Sequence, residues 1–172
     1  MAQQKIVPNL WFDTQVPNLW FDTQAEEAAQ YYIDVFGDGR VLDVARYPEG
    51  GPGPAGSVMT VEFELAGQRF VGINGGPQFP FTEAVSFQID CADQAEVDRF
   101  WDRLIGDGGQ DSQCGWLRDR YGLSWQVVPA GMAEVFADPD PARAQRAVQA
   151  MLGMTKLDVA ALRAAADGVP VG

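Results

Sequence analysis

The chain has 172 residues, of which 47% are hydrophobic and 21% are charged, which is enough for one compact domain or two small modules. Lys and Arg number 12 against 24 Asp and Glu, giving a formal charge of −12 without a basic stripe, and this argues against a nucleic-acid partner. Histidine is absent, which excludes imidazole general bases, Ser-His-Asp triads and metal sites that require histidine.

The sequence contains no signal for a membrane. No apolar run approaches the roughly 20 residues of a spanning helix, and the N-terminal stretch lacks the basic-then-apolar order of a secretory signal. We therefore expect a cytoplasmic protein. Its two cysteines, Cys91 and Cys114, are too few for a disulfide framework and are expected to be reduced thiols.

A nine-residue segment occurs twice in tandem, since residues 7–15 and 16–24 both read VPNLWFDTQ. Nine is odd, so one continuous strand through both copies would turn the second copy to the opposite face, and Pro17 would interrupt its ladder. Only the second copy leads directly into a helical pattern. We expect it to form the core strand, with residues 1–15 as an extra arm that pairs at a sheet edge, exchanges across a dimer or is disordered. The alternative is that the first copy takes the strand. The duplication is either natural or engineered.

A first module follows the pattern β-α-β-β-β. The strand NLWF at 18–21 precedes an amphipathic helical pattern at 26–40, which opens on the capping-box sequence Thr23-x-x-Glu26. A hairpin turn is predicted at 66–68. Three strand patterns come after the helix, at 40–47, 57–65 and 69–75.

A second module repeats this order 69 positions later. Its strand at 85–89 leads into a helical pattern at 95–109, with Asp93-x-x-Glu96 as the start signal. Strand patterns follow at 110–116, 116–122 and 123–129. The predicted organisation is therefore a first module at 16–78, a second at 79–130 and an appendage at 131–172.

The appendage is predicted to be helical. Asp140 and Pro141 form a start signal before an apolar residue pattern at helical spacing, and Thr155 precedes a last helical pattern. We expect these helices to cover a sheet edge or a dimer seam.

Four sequence stretches carry a family resemblance: LWFDTQAEEAAQYY, FVGINGGPQFPFTEAVSFQIDC, CGWLRDRYGLSWQVVP and DPDPARAQRAVQAML. Across about 16–166 the chain resembles the vicinal oxygen chelate superfamily, which includes glyoxalase I, bleomycin-resistance proteins and extradiol dioxygenases. More narrowly it resembles the PhnB-like branch, often labelled 3-demethylubiquinone 3-methyltransferase. The resemblance implies an α+β fold in which paired βαβββ modules form curved mixed sheets around a cavity, usually in a homodimer.

The resemblance also indicates where a metal would bind. Metal-using members take ligands from the strand before each helix and from the last strand of each module. Those positions fall near Gln15, or Ile6 in an unduplicated frame, near Glu83 or Ala84, and at Gln126, where Glu is usual. This set lacks imidazoles and charge, so we expect no intact metal site and no cofactor. Glu83 and Gln126 are the metal candidates for the alternative, a hard divalent cation held with water.

The methyltransferase label has no support in the glycines. The GDG stretches at 37–39 and 106–108 follow predicted helices, where glycine ends a helix. A loop that binds S-adenosylmethionine in a Rossmann-type site would instead open a helix after a parallel strand. We therefore expect no methyltransferase activity.

Aromatic and amide side chains near strand ends, with one thiol, are the candidates for a ligand pocket. They are Trp20, Asn74, Phe79, Phe81, Phe87, Cys114, Trp116, Trp125 and Gln126.

Several of these candidates have a purely structural alternative. For Trp20, Phe87 and Trp125, which lie inside strongly patterned strands, a core position is favoured over ligand contact. For Phe79 and Phe81, in the connection between the modules, the two roles are balanced.

The remaining candidates also have two interpretations. Residues 74–76 form a turn, or an amide and two exposed backbone N–H groups that receive a carbonyl or carboxylate. Cys114 is expected to be a structural thiol rather than a nucleophile, because no general base accompanies it. Asp119 and Arg120 are expected in a hairpin turn with exposed charge.

The function expected from this is small-molecule binding of the glyoxalase or bleomycin-resistance type, with an apolar or aromatic ligand. The alternative is a metal-dependent enzyme of the lyase or isomerase kind on the same fold. A third possibility is a structural dimer with a filled core.

Overall fold

The structure is a computed structural model that describes residues 6–8, 16–106 and 108–169, with residues 6–8 as backbone. Nine strands are assigned in this part of the chain: β1 (Ile6–Pro8), β2 (Asn18–Phe21), β3 (Gly39–Arg46), β4 (Val58–Leu65), β5 (Gln68–Asn74), β6 (Ser86–Cys91), β7 (Gln110–Asp111), β8 (Trp116–Arg118) and β9 (Ser124–Pro129). The helices assigned there are α1 (Ala25–Phe36), α2 (Gln94–Ile105), α3 (Met132–Phe136), α4 (Pro141–Leu152) and α5 (Val159–Ala166).

The chain divides into two compact units, Met1–Phe87 and Gln88–Gly172. In the described residues, no helix combines the length and apolar character that crossing a membrane requires. The combination of helices with two β-sheets confirms the predicted α+β class.

The first unit contains a four-stranded sheet in the order β2-β5-β4-β3. The pair β2–β5 is parallel and the other two pairs are antiparallel. Ala66 and Gly67 form the turn between β4 and β5, and both have positive φ angles, 46° and 81°. Such a two-residue turn matches the right-handed twist of the strands that it joins.

Helix α1 covers one face of this sheet. Side chains along each strand alternate between the two faces, so apolar residues collect on the face that packs against the helix. Val61, Phe63 and Leu65 are buried on the helix side of β4, as the sequence alternation predicts. The Phe63 ring stacks on that of Tyr32 from α1, with a centroid distance of 6.3 Å, and on that of Phe70, with a centroid distance of 5.4 Å. The opposite face of the sheet is half-exposed.

The second copy of the repeat forms β2. Leu19 and Phe21 are buried, and Trp20 is half-buried on the other face. Strand β1 contains the first two residues of the first copy and is placed next to β6. The rest of the first copy, residues 9–15, lies outside the described residues, as does most of the predicted arm.

The other sheet has the order β1-β6-β9-β8-β7, with β8 antiparallel to both β7 and β9. Helix α2 packs against β8 and β9. The cross-strand partners Leu117 and Trp125 are both buried. Asp93 caps α2, because its carboxylate accepts a hydrogen bond from Glu96 N at 2.9 Å. That helix start agrees with the predicted start signal.

Within the second unit, polar contacts join the C-terminal segment to α2. Gln94 donates to Leu157 O at 3.0 Å and accepts from Val159 N at 3.2 Å. The ammonium group of Lys156 lies 2.8 Å from the Asp98 carboxylate. These contacts hold the segment before α5 to the start of α2.

Candidate functional site

The face of the first sheet opposite α1 combines an apolar end with a charged end. Trp20 pairs with Ile73, which in turn pairs with Thr60, so all three lie in one row and are half-buried. Farther along the strands, Arg69 forms an ion pair with Glu62 at 2.6 Å. The apolar row and the charged pair therefore lie at different points along β5.

The connection after β5 folds beside Trp20. The indole nitrogen of Trp20 donates to Gly76 O at 2.8 Å, and the Phe79 ring meets the indole edge-to-face with a centroid distance of 5.2 Å. Phe79 is 66% exposed, whereas Phe81 is half-buried against Phe21 at 5.4 Å. Trp20 and Phe79 thus form a partly exposed aromatic pair, and Phe81 packs on a buried strand residue.

Asn74 has a structural task in the first unit. Its side-chain oxygen accepts from Ala25 N at 2.9 Å, and its side-chain nitrogen donates to Val58 O at 3.1 Å. The N–H groups of Gly75 and Gly76 donate to Phe21 O at 2.9 Å and to Asp22 O at 3.2 Å. The interpretation of residues 74–76 as exposed donors for a ligand is therefore wrong, because these groups join α1, β2 and β4.

A cleft of about 560 Å³ lies beside this junction, at the start of α1 and below the β3–β4 loop. Its walls carry the carboxylates of Asp22, Glu26 and Glu27, and Arg46 lies 3.2 Å from the Glu26 carboxylate. The cleft is of ligand size. Its residues are Asp22, Thr23, Gln24, Glu26, Glu27, Tyr47, Gly53, Pro54, Ser57, Val58, Asn74 and Gly76.

In the second unit, Trp116 and Gln126 are direct cross-strand partners on β8 and β9, and both are half-buried. Directly opposite residues on antiparallel strands share one face of the sheet. Leu117 and Trp125 occupy the other, buried face. The structure thus brings two of the predicted pocket residues together.

Ser124 adds a third group to this face, two residues before Gln126 on the same strand. Its side chain is 1% exposed, and its hydroxyl finds no hydrogen-bond partner among the residues that the structure describes. A buried hydroxyl without a partner costs free energy, so a bound molecule or water is the expected partner. Sequence reasoning missed Ser124, although a serine within the apolar run of this last strand was the available signal.

Two other candidates are core residues. Phe87 is buried and packs edge-to-face on Phe70 at 5.3 Å. Trp125 is also buried, and its indole nitrogen donates to the Asp119 carboxylate at 2.8 Å. Asp119 itself is 3% exposed, so the expectation of an exposed charge there was wrong. The carboxylate is buried because it organises the β8–β9 turn.

Cys114 helps to dock the C-terminal helices. It adopts a positive φ of 59°, and its N–H donates to Met154 O at 2.8 Å. Its half-buried thiol lies 3.6 Å from Met151 O. These contacts give Cys114 a structural role, and no ligand or catalytic partner is needed to explain it.

The donors available for a metal do not match a catalytic divalent site. Glu83 is an exposed carboxylate in the first unit, and Gln126 offers an amide in the second. Within residues 16–106 and 108–169, no three His, Cys, Asp or Glu side chains cluster as a metal site would require. One amide and one carboxylate lack the charge and imidazoles that a divalent catalytic ion prefers.

The glycines of the GDG stretches end helices, as predicted. Gly37 follows α1 in the left-handed conformation with φ 67°, and Gly106 follows α2. The connections that open these helices, residues 22–24 and 92–93, contain no glycine. No phosphate-cradling turn precedes either helix.

Comparison with known proteins gives the family. The sequence model of the 3-demethylubiquinone-9 3-methyltransferase family matches residues 4–128. Among proteins of curated function, no relative matches.

Solved structures give the fold. The PhnB protein from Bacillus cereus is 32% identical, with a TM-score of 0.62, over 69% of this chain and 100% of that one. A protein from Pseudomonas aeruginosa is 21% identical, with a TM-score of 0.55, over 67% and 96%. The fosfomycin resistance protein FosX from Listeria monocytogenes shares the fold at 14% identity and a TM-score of 0.52, over 73% and 97%. The chain therefore belongs to the 3-demethylubiquinone-9 3-methyltransferase family, the PhnB-like branch of the vicinal oxygen chelate fold.

Proposed function

We propose that the protein binds a small aromatic or apolar molecule that carries a hydrogen-bonding group, on the face formed by Trp116, Ser124 and Gln126. The observation that carries the proposal is the buried Ser124 hydroxyl without a partner among the described residues. It lies on the strand that places Gln126 opposite Trp116. An aromatic surface with a few polar groups is the usual chemistry of a small-molecule site.

The proposal assigns no metal and no methyl transfer to this site. The donor chemistry of Glu83 and Gln126 argues against a catalytic divalent ion. The glycine-free connections into α1 and α2 argue against a Rossmann-type S-adenosylmethionine site. The family name describes ancestry here, since one fold hosts many chemistries. FosX, named as a fosfomycin resistance protein, is an example of small-molecule function on this fold.

The second candidate function is a metal-dependent enzyme of the lyase or isomerase kind, with Glu83 and Gln126 as ligands. Metal analysis of protein purified without chelators separates the two. We expect less than 0.1 equivalent of any divalent metal, roughly the level of an adventitious contaminant given these donors. A stoichiometric metal that is lost in Gln126→Ala would favour the enzyme.

Ligand binding is tested by calorimetric titration with planar aromatic amides and phenols that first raise the melting temperature in a screen. We expect Trp116→Ala and Ser124→Ala each to weaken binding by about tenfold or more, in line with loss of an aromatic contact or a buried hydrogen bond. Gln113→Ala, a change at an exposed loop residue, is the control and leaves binding unchanged. Equal affinity in all three variants would contradict the proposed site.

We also propose a cytoplasmic homodimer, on the family resemblance and the appended helices. Light scattering at micromolar concentration tests the dimer, and a monomeric mass contradicts it. The repeat in 7–24 is proposed to be a duplicated first strand, natural or engineered, of which the fold needs one copy.

A further inference from the structure

The position of β2 at the edge of the first sheet, which we call the β2 slot, is filled entirely by residues of the second copy. Besides the β2–β5 ladder, three carbonyls at the ends of the strand accept hydrogen bonds: Pro17 O from Val71 N at 3.0 Å, Phe21 O from Gly75 N at 2.9 Å, and Asp22 O from Gly76 N at 3.2 Å. Trp20 donates to Gly76 O at 2.8 Å, and Leu19 and Phe21 fill the core. Every group that holds the strand therefore lies within 17–22.

The first copy offers the same groups in the same order. Residues 8–13 read PNLWFD, identical to 17–22. Pro8, Leu10, Trp11, Phe12 and Asp13 would repeat each backbone and side-chain contact of the slot. The two segments therefore carry the same groups for the slot.

Within its own sheet the slot can exchange its occupant at the cost of one ladder, although Pro8, the last residue of β1, would have to change place. Strand β2 pairs with β5 alone, so removing it opens a single ladder. The start of α1 does not depend on that ladder, because Ala25 N is held by the Asn74 side chain and Ala28 N by Gln24 O.

We infer that the β2 slot is a two-register site, in which residues 8–13 can replace residues 17–22. In the described register the nine extra residues precede the strand, whereas in the other they lie between the strand and α1. In the other register the connection to α1 is nine residues longer, and the entropy cost of closing it rises only slowly with length. A substitution that weakens residues 17–22 in the slot therefore favours its occupation by residues 8–13.

A double-mutant cycle tests the inference in the full chain, using Trp11→Ala, Trp20→Ala and the double variant. We expect Trp11→Ala to leave the midpoint of thermal unfolding unchanged. Trp20→Ala should lower it by less than half of the drop in the double variant, because Trp11 replaces the lost indole. A drop in Trp20→Ala equal to that in the double variant overturns the inference.

Fluorine NMR of protein labelled with 5-fluorotryptophan gives a second readout that does not rest on stability. The resonance of an indole in the β2 slot is assigned first in a chain that lacks residues 7–15. It is the resonance that Trp20→Phe removes from that shortened chain. In full-length Trp20→Phe we expect a resonance at the same chemical shift, contributed by Trp11 and lost in Trp11→Phe/Trp20→Phe. Its absence from Trp20→Phe overturns the inference.

Discussion

The indole N–H of Trp125 and the carboxylate of Asp119 form a buried hydrogen bond of 2.8 Å that fixes the hairpin of the candidate site. The other carboxylate oxygen of Asp119 accepts from Tyr121 N at 2.8 Å and from Leu123 N at 3.1 Å. One side chain thus satisfies three donors around the turn. Because the turn fixes how β8 and β9 pair, Asp119 positions the Trp116–Gln126 pair indirectly.

Asp119→Ala should lower the free energy of unfolding by about 2–4 kcal/mol, since three buried or half-buried donors lose a charged acceptor. Asp119→Asn is the matched control. Its amide oxygen can still accept from both backbone N–H groups, although its NH₂ group then faces the Trp125 N–H, so a smaller loss is expected. Urea unfolding measures both. Equal losses would contradict the assignment of separate oxygens to turn and indole.

Asn74→Ala should lower the free energy of unfolding by about 1–2 kcal/mol, because Ala25 N at the start of α1 loses its acceptor and Val58 O its donor. Asn18→Ala is the control, since that amide makes an exposed local contact to Val16 O. Denaturant titration compares the two. An equal loss of unfolding free energy in both variants would contradict the role of Asn74 in holding the start of α1.

The Lys156–Asp98 pair makes docking of the C-terminal helices depend on pH. Hydrogen bonds from Lys156 and then Gln94 lower the pKa of Asp98 below its ordinary 3.8, so this contribution is present above that value and is lost as pH falls through the lowered one. The hydrogen bond to Asp98 raises the pKa of Lys156 above 10.5, so its contribution is present below 10.5 and is lost as pH rises through the raised value.

Lys156→Gln should therefore be less stable than the parent by under about 1 kcal/mol between pH 5 and 9, because the pair is partly exposed. The difference should shrink toward pH 2 and in 1 M salt. Thermal unfolding of both proteins at a series of pH values, without denaturant, measures this difference in stability. A difference that is constant down to pH 2 would show that the ion pair contributes nothing.

Gly75→Ala should destabilise the first unit by about 1–3 kcal/mol through overpacking. A Cβ at this position would lie 2.0 Å from Cζ2 of Trp20, so the indole must leave its place. Gly153→Ala, where the new Cβ meets Ala150 O at an ordinary 3.5 Å, is the control. Tryptophan emission and melting temperature check the change, and an unshifted spectrum in Gly75→Ala would contradict it.

The two helix starts show which parts of the fold local sequence can predict. The Asp93-x-x-Glu96 signal is confirmed, because acceptor and donor are three residues apart. The Thr23-x-x-Glu26 prediction was wrong: Gln24 is the N-cap residue, without a side-chain cap bond, and Asn74 from β5 supplies the acceptor. That contact joins residues 49 positions apart, so no local pattern contains it.

The C-terminal helices show the same limit. Asp140 caps α4 as the Asp-Pro signal predicts, whereas α5 begins after Asp158 rather than Thr155. Thr155 instead supplies its carbonyl to Gly115 N at 2.7 Å. The side chain of Asp158 caps α5 by accepting from Ala161 N at 2.9 Å.

For the candidate site, the sequence supplied Trp116 and Gln126 but not their pairing. Ser124 was missed because hydrophobic alternation treats a small polar residue in a last strand as neutral. Asp119 was misplaced because a turn sequence indicates exposure, while burial depends on the indole of Trp125. Such facts depend on which strands meet, and composition does not determine that.

The close approach of Gly75 to Trp20 limits how the first strand can shift. A glycine leaves room for an indole at one point of the edge, and the next identical indole lies nine residues away. A slip of one residue would set Leu or Phe in that space and turn apolar side chains to the wrong face, and a slip of two residues would set Asn or Asp there. The registers that keep an indole beside Gly75 are therefore separated by one whole repeat, and a partial slip along this edge loses that fit.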